Sequence, residues 1–555
     1  MFFRVKGTAE RKYLQIAESY RDGRHVRQRI IATLGRLDAL QQSGQLDRLL
    51  RSGLRFSEKI RVLDAHAAGE TEPVSITKIG PELVFGRLWR ECGIGEILSG
   101  VLGGRRYEFD VERAVFLTVL HRLFAPGSDR AAERWKEDYR IEGAQVLELH
   151  HLYRAMAWLG TPEEEGAPGL GCEPHGQLPR CVKDRIEEAL FDRGRDLFSE
   201  VGLVFFDTTS IYFEGEGGET IGQYGHSKDH RPDLRQMVVG IALDVTGRPL
   251  CCEMWPGNTT DVKTLVPVIE RMRAKFRVGE ICVMADRGMV SKATIAAFEA
   301  MEPPVHYILG VRMRRQKEVG EVVLKSRKPW KEITPERELS KDPAPLKVKE
   351  VQVGDHRYVV CLNEEERRKD AHDREAILES LHKALKAGDK ALVGNKGFRR
   401  FLKVEGGSHF DIDERQVREE ERYDGIWVLR TDMDLDAETV AMAYKSLWMV
   451  EDTFRTAKSI LETRPIYHKR DETIRGHVFC SFLALVLKRE LEMRMEEKRL
   501  DWEWADVIRG LDNLQQVEVR LQGKSFLLRS QLCGDAHAAI RAAGAALPPT
   551  LQEVD

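Results

Sequence analysis

Two short apolar runs, each ending in an aspartate, limit what this chain can fold into more than any other feature. Residues 201–206 run into Asp207, and residues 281–285 run into Asp286. Runs this short, without polar alternation, read as strands covered on both faces. Between them lie two more strand-like runs, 237–243 and 249–255. The stretch 261–276 then sets Val262, Leu265, Val266, Ile269 and Met272 on one helical face. A helix over 291–301 and a strand over 305–311 follow. The order β-β-β-α-β-α-β starts with consecutive strands and then alternates, which predicts a mixed sheet with helices packed on it.

The rest of the chain divides around this core. At 555 residues it suggests about three or four domains. Residues 12–36 read as two strands around a turn at Arg21, Asp22 and Gly23. The pattern turns helical from 41 to 67, and 73–78 reads as a linker. Helical spacing returns from 82 to 160, followed by a Gly/Pro-rich loop at 160–179 and a helix at 182–200. Residues 312–422 break the alternation, with strands expected at 319–324, 346–353 and 358–362, a charged helix at 364–386, and strands from 402 to 412. A strand at 426–430 and helices at 443–461 and 474–495 complete the core. The expected boundaries are 1–70, 71–200, 201–311, 312–425 (a β-rich insertion), 426–498 and 499–555 (a C-terminal helical region).

Composition narrows the class. The hydrophobic share of 42% is ordinary for a water-soluble fold, and no apolar run approaches membrane-spanning length. The first residues lack a signal-peptide core, so a cytoplasmic location is expected. Cys172, His175 and Cys181 lack a fourth nearby ligand, which argues against zinc. The net charge of −3 is neutral on the question of polyanions, but residues 1–62 carry 14 Lys/Arg against 6 Asp/Glu. That surplus suits a nucleic-acid-binding module and also an ordinary basic surface.

One helix face decides between those readings. From 443 to 468, Leu447, Val450, Phe454, Ala457 and Leu461 form an apolar stripe. Beside it run Tyr444, Trp448, Glu451, Arg455 and Lys458, a carboxylate among cations and aromatics. A salt-bridged surface helix would explain that face alone. Asp207 and Asp286, each delivered to the carboxyl edge of a core strand, change the balance. Either aspartate alone could cap a turn. Three carboxylates brought together repel unless a divalent cation neutralises them, and oxygen-only ligands favour magnesium or manganese. Asn258 and Asp261 read as a turn and helix cap. Trp330 and Trp427 read as packing residues, with stacking on a displaced base as the alternative.

The motifs VFFDTTSIYFE (204–214), GHSKDHRPDLRQ (225–236), WPGNTTDVKTL (255–265), VMADRGMVS (283–291) and LWMVEDTFRTAKSILETRPIYH (447–468) together resemble a bacterial DDE-type insertion-sequence transposase. The resemblance is strong over 200–490 and looser before it. It implies a multidomain α+β protein: a ribonuclease-H-like mixed sheet with helices on both faces, a β-rich insertion, and helical N- and C-terminal regions. It implies Asp207, Asp286 and Glu451 as catalytic metal ligands for Mg2+, with Mn2+ as a substitute. It also implies a Tyr-Arg-Glu-Lys signature, matched by Tyr444, Glu451 and Lys458 but with Leu447 at the Arg position. Arg455 is the candidate to replace that arginine. Lys228, His230, Arg231 and Arg235 are the basic-loop candidates for DNA contact, with Arg287 beside Asp286. Double-stranded DNA at terminal inverted repeats and at a target, a homodimer in the synaptic complex, and no membrane are the expected partners. A structure-specific nuclease of the same fold and a non-catalytic DNA-binding descendant remain as alternatives.

Overall fold

The computed structural model describes residues 1–555 apart from 9–10, 23–24, 55–56, 70, 164–177, 195–202, 277–280, 335–344, 388–399, 406–408, 522 and 555. The chain forms two compact units, one of Met1–Gly80, Gly510–Cys533 and Ala546–Asp555, the other of Pro81–Arg509 and Gly534–Ala545. Cys172 and His175, the turn residue Gly23, and the far end of the helix expected at 182–200 lie outside the described residues. Among the described residues no helix is long and apolar enough to cross a membrane.

In the first unit, β1 (Phe2–Gly7), β2 (Lys12–Asp22) and β3 (His25–Arg36) form an antiparallel sheet, one strand more than expected. Three helices follow, Leu37–Gln42, Gln45–Leu54 and Glu58–Ala67. The expected linker at 73–78 is instead a strand, β4 (Glu72–Lys78), paired antiparallel with Gln515–Leu521. Lys524–Arg529 and Leu551–Val554 complete this four-stranded sheet. The C-terminal region is therefore not the helical one expected, although Trp504–Asp512 and Ala536–Ala543 are helices. Val517, Val519 and Leu521 alternate with polar residues at the strand period, and pairing with a segment over four hundred residues away lies beyond local pattern. Val519, Phe526, Leu528 and Leu551 pack with Val62 in a small core.

The second unit carries the large sheet. Its strands are β5 (Leu203–Tyr212), β6 (Gln236–Leu243), β7 (Pro249–Pro256), β8 (Cys282–Ala285), β9 (His306–Gly310), β10 (Lys331–Ile333), β11 (Leu346–Val353) and β12 (His356–Leu362). A separate hairpin, β13 (Leu402–Glu405) and β14 (His409–Ile412), precedes β15 (Ile426–Thr431). The order is β10-β11-β12-β15-β9-β8-β5-β6-β7, with β8 parallel to β5 and β9 and the other neighbours antiparallel. The mixed sheet expected from the sequence is present. Val204 and Phe206 bury one face of β5 against Trp255, Leu265, Ile269, Met272 and Phe298. Gly240 makes room there, since a Cβ would come within 2.6 Å of the Phe206 ring.

The insertion differs from expectation in two ways. Residues 319–323 form a π-helical turn instead of a strand, because Val319 and Val323, one turn apart, both bury against Tyr358 and Val428. In addition β11 and β12 join β15, so the core sheet runs on through the segment expected as a separate domain. What has its own small core is the helix Glu364–Ala387, the β13–β14 hairpin and the helix Glu414–Glu421, around Leu381, Phe401, Ile412 and Val417.

A buried ionic cluster ties helix to sheet. Lys183, Asp184 and Glu187 on the helix Val182–Gly194 meet Glu253 on β7 and Arg271 and Lys275 on the helix Leu265–Phe276. The Lys275 ammonium touches Asp184 and lies 2.7 Å from Glu187 and 3.0 Å from Glu253, while Arg271 pairs with Glu253 at 2.8 Å. Burial alone would lift the Asp184 carboxyl, but Lys183, Lys275 and Arg271 hold it well below its ordinary value. Three acids against three bases leave the cluster electrically balanced, which is how charges persist inside a protein.

Candidate active site

The register of two parallel strands creates the site. Leu203, Val204 and Phe205 of β5 pair with Cys282, Val283 and Met284 of β8. Two residues further along, the same offset sets Asp207 beside Asp286. Alternation on β5 turns Asp207 away from the Val204–Phe206 core. The helix Trp448–Arg455, with Glu451 in its first turn, lies against β5 and β6. The expected apolar stripe anchors it, since Val450, Phe454, Ala457 and Leu461 are all buried. Glu451 and Trp448 are exposed.

The expected continuous helix is in fact broken. Ala437–Lys445 ends before Leu447, Trp448–Arg455 begins a new helix, and Thr456–Ile460 continues as a π-helical turn. The break splits the face read as uniform. Tyr444, on the first piece, turns inward and donates from its hydroxyl to Asp286 Oδ1 at 3.2 Å. Gly310 at the end of β9 makes this possible, as a Cβ there would lie 2.3 Å from the Tyr444 oxygen. Burial, then the Asp286 charge, raises the Tyr444 phenol, so it stays a proton donor.

Asp207 is an ionisable group in a poor environment for charge. Burial lifts its carboxyl to about 6; Lys228 and the Thr208 amide oppose the rise, and the charges of Asp261 and Asp286 add to it. Asp261, read from sequence as a helix cap, belongs to this cluster. Its carboxylate accepts from Thr208 Oγ1 at 2.7 Å and lies 3.2 Å from Lys228 Nζ, and it makes no cap. Lys228 Nζ also donates to the Thr208 carbonyl at 2.6 Å and sits 3.9 Å from Asp207. The signal that could have found Asp261 was its place at the strand–helix junction just after β7.

The other expected contacts fall into two groups. Arg287 and His230 are exposed, as is Arg455, which makes a loose 3.4 Å pair with Asp452 and none with Glu451. His230 adopts a left-handed backbone with φ of 58°. By contrast, Lys458 is turned inward onto the buried Asp229 at 2.8 Å, beside Arg464 at 3.5 Å from the same oxygen. Burial lowers the Lys458 ammonium, and Asp229 offsets part of that. Arg231 pairs with Asp233 and lies over the Tyr212 ring, and Arg235 donates to the Glu216 carbonyl. Trp330 lies under Lys349 and Trp427 under Lys445, so both tryptophans pack against cations.

Among the described residues, three other groups of acids and histidines have ligand atoms within 4.8 Å of one another: Glu108 with His150 and His151, Asp129 with His468 and His477, and Asp184 with Glu187 and Glu253. The last is neutralised by its lysines and arginine. In the second, the Arg122 guanidinium donates to His477 Nδ1 at 2.9 Å and so engages that ring nitrogen. Asp207, Asp286 and Glu451 are not so tightly gathered, but their donor set suits a metal. It consists of oxygen alone, and the Asp207 charge is short of positive compensation despite Lys228.

Comparison with known proteins shows the family. Residues 201–487 match the transposase DDE domain, and residues 2–67 match the N-terminal domain of IS1634 family transposases. The chain belongs to the DDE transposases. No curated protein matches it. Among solved structures it is similar to a piggyBac transposase synaptic complex with hairpin DNA, at 12% identity and a TM-score of 0.40 over 78% of this chain and 79% of that one. It is also similar to a Mos1 transposase paired-end complex with the left transposon end, at 14% identity and a TM-score of 0.13 over 36% and 58%.

Proposed function

We propose that Asp207, Asp286 and Glu451 hold divalent ions, Mg2+ with Mn2+ as a substitute, and that this centre cuts an insertion sequence at its terminal inverted repeats and joins the 3′ ends to target DNA. The observation that carries this reading is the β5–β8 register, which sets Asp207, midway along β5, level with Asp286 just past the end of β8, with the Glu451 helix packed on β5. Bound there, the ions would activate a water or a 3′-hydroxyl and stabilise the leaving oxygen. The chain's own groups prepare the site. Tyr444 fixes one Asp286 oxygen. Lys228 and the Thr208 hydroxyl hold Asp261 beside Asp207. The exposed Arg287, His230 and Arg455 meet DNA phosphates, while Lys458, Arg231 and Arg235 brace the loop that carries His230.

The basic first unit reads the element's ends, and two copies of the chain hold two ends together. The test uses DNA bearing the inverted repeats that flank the gene. Wild type with Mg2+ should nick these ends and transfer a pre-cut 3′ end into a plasmid, and Asp286→Asn and Glu451→Gln should lose both reactions while melting normally. Nicking without strand transfer would favour the structure-specific nuclease. Full activity in Asp286→Asn would sink the metal assignment.

A further inference from the structure

Immediately after β9 the chain reads Val311, Arg312, Met313, Arg314, Arg315, Gln316 and Lys317, a basic tract outside every motif discussed above. Its placement is fixed by its apolar members. Val311 and Met313 are buried in the core around Val319, Tyr358 and Val428, and Val311 donates its amide to the Val428 carbonyl. The arginines between and after them are left facing a cleft of about 460 Å3 whose lining includes Asp286, Arg287, Arg312, Arg314 and Arg315. One acid against four arginines leaves that wall strongly positive, and the acid is a proposed metal ligand.

The four arginines differ in what occupies them. Arg312 donates to the carbonyls of Arg287 and Gly288 at 2.9 and 2.8 Å, clamping the loop that follows Asp286. Arg314 is spent on a two-pronged pair with Glu420 and lies over the Tyr423 ring. Arg315 and Arg287 are exposed, and neither has an ion pair among the described residues. In the neighbouring cavity of about 610 Å3, Arg314, Arg374 and Arg400 are each paired with an acid. Arg287 lines both cavities, and Arg287 and Arg315 together face the Asp286 cleft. A guanidinium fork matches the two free oxygens of a phosphodiester.

We infer that this cleft is a phosphodiester cradle: Arg315 and Arg287 grip the DNA backbone next to the linkage cut at Asp286, and Arg312 holds the loop in position for them. The inference rests on the transposase reading and adds the strand-gripping residues to it. A single neutralised phosphate contributes about fivefold to affinity at 0.15 M salt and about one unit to the slope of log K against log salt.

The test measures fluorescence anisotropy in chelator, with a short duplex carrying the element's terminal sequence and an unrelated duplex of equal length, across a salt series. Arg315→Ala and Arg287→Ala should each bind about fivefold more weakly, with a slope shallower by about one. Arg315→Lys should restore the slope. Loss on the terminal duplex alone would place the element's own end in the cleft, and loss on both would show that it grips DNA of any sequence; either supports the cradle. Melting curves matching wild type exclude misfolding, which the exposure of both residues makes the expected result. If wild type binds DNA and both alanine variants keep its affinity and slope, the cradle is wrong. If wild type binds neither duplex, the transposase reading itself fails.

Discussion

Replacing Asp207 with Asn should abolish catalysis and yet make the metal-free protein more stable at neutral pH. Asp207 has an ordinary value of 3.8, and its carboxyl is held at about 6 in the fold. A carboxyl raised by folding binds its proton more tightly in the native state, so ionising it costs stability. Below 3.8 both states are protonated and there is no penalty. Between 3.8 and 6 stability falls as pH rises, and above 6 the whole penalty is present. A shift of about two units corresponds to about 3 kcal/mol. The side chain is still 28% exposed, and water reduces the expected gain to about 1–3 kcal/mol. At pH 7.5 in chelator that is a melting-temperature rise of about 1–3 °C in a unit of this size, and about half as much at pH 5. Added Mg2+ should raise the wild-type midpoint and leave the variant's unchanged. An Asn variant that melts at or below wild type at pH 7.5 would refute the idea that Asp207 carries an undercompensated charge.

Lys275→Met should cost about 3–5 kcal/mol by stranding Asp184, Glu187 and Glu253 in the interior, read as a large fall in the thermal midpoint. Lys458→Met should lower stability by about 1–3 kcal/mol through the loss of its bond to Asp229, while leaving the salt dependence of DNA binding unchanged. A slope reduced by one would show that Lys458 reaches a phosphate after all. Asp261→Asn removes a charge that pushes Asp207 upward, so the acid limb of the cleavage pH–rate profile should move to lower pH. A limb that stays in place would mean that Asp261 does not act through Asp207.

Much of the core could be read from the sequence because its determinants are local. Five- and six-residue apolar runs must be inner strands, and Asp286 does follow directly on the end of β8, but β5 runs on through Asp207 to Tyr212, so Asp207 sits midway along its strand. The Val450–Phe454–Leu461 stripe needed only helical periodicity. What failed was non-local or competitive. The strand at Glu72–Lys78 has its partner in Gln515–Leu521, and no window around residue 75 contains that information. Val319 and Val323 favour strands by side-chain shape, but burying both on one side selects a helical turn. Asp261 has the composition of a cap, and only the approach of Lys228 and Thr208 from other segments makes it part of the site. The break at Leu447 turned a neighbour of Glu451 into a support for Asp286, a change that periodicity cannot register.

The sheet that joins β4 to the last strands also sets the order of assembly. The large sheet and its three acids are complete in the chain by the end of the helix Asp471–Glu497, whereas β4 waits for Gln515–Leu521, Lys524–Arg529 and Leu551–Val554. During synthesis the first unit therefore stays without its four-stranded sheet until Leu551–Val554 has left the ribosome. A chain cut short ahead of residue 515 keeps Asp207, Asp286 and Glu451 but lacks three of the four strands of that sheet.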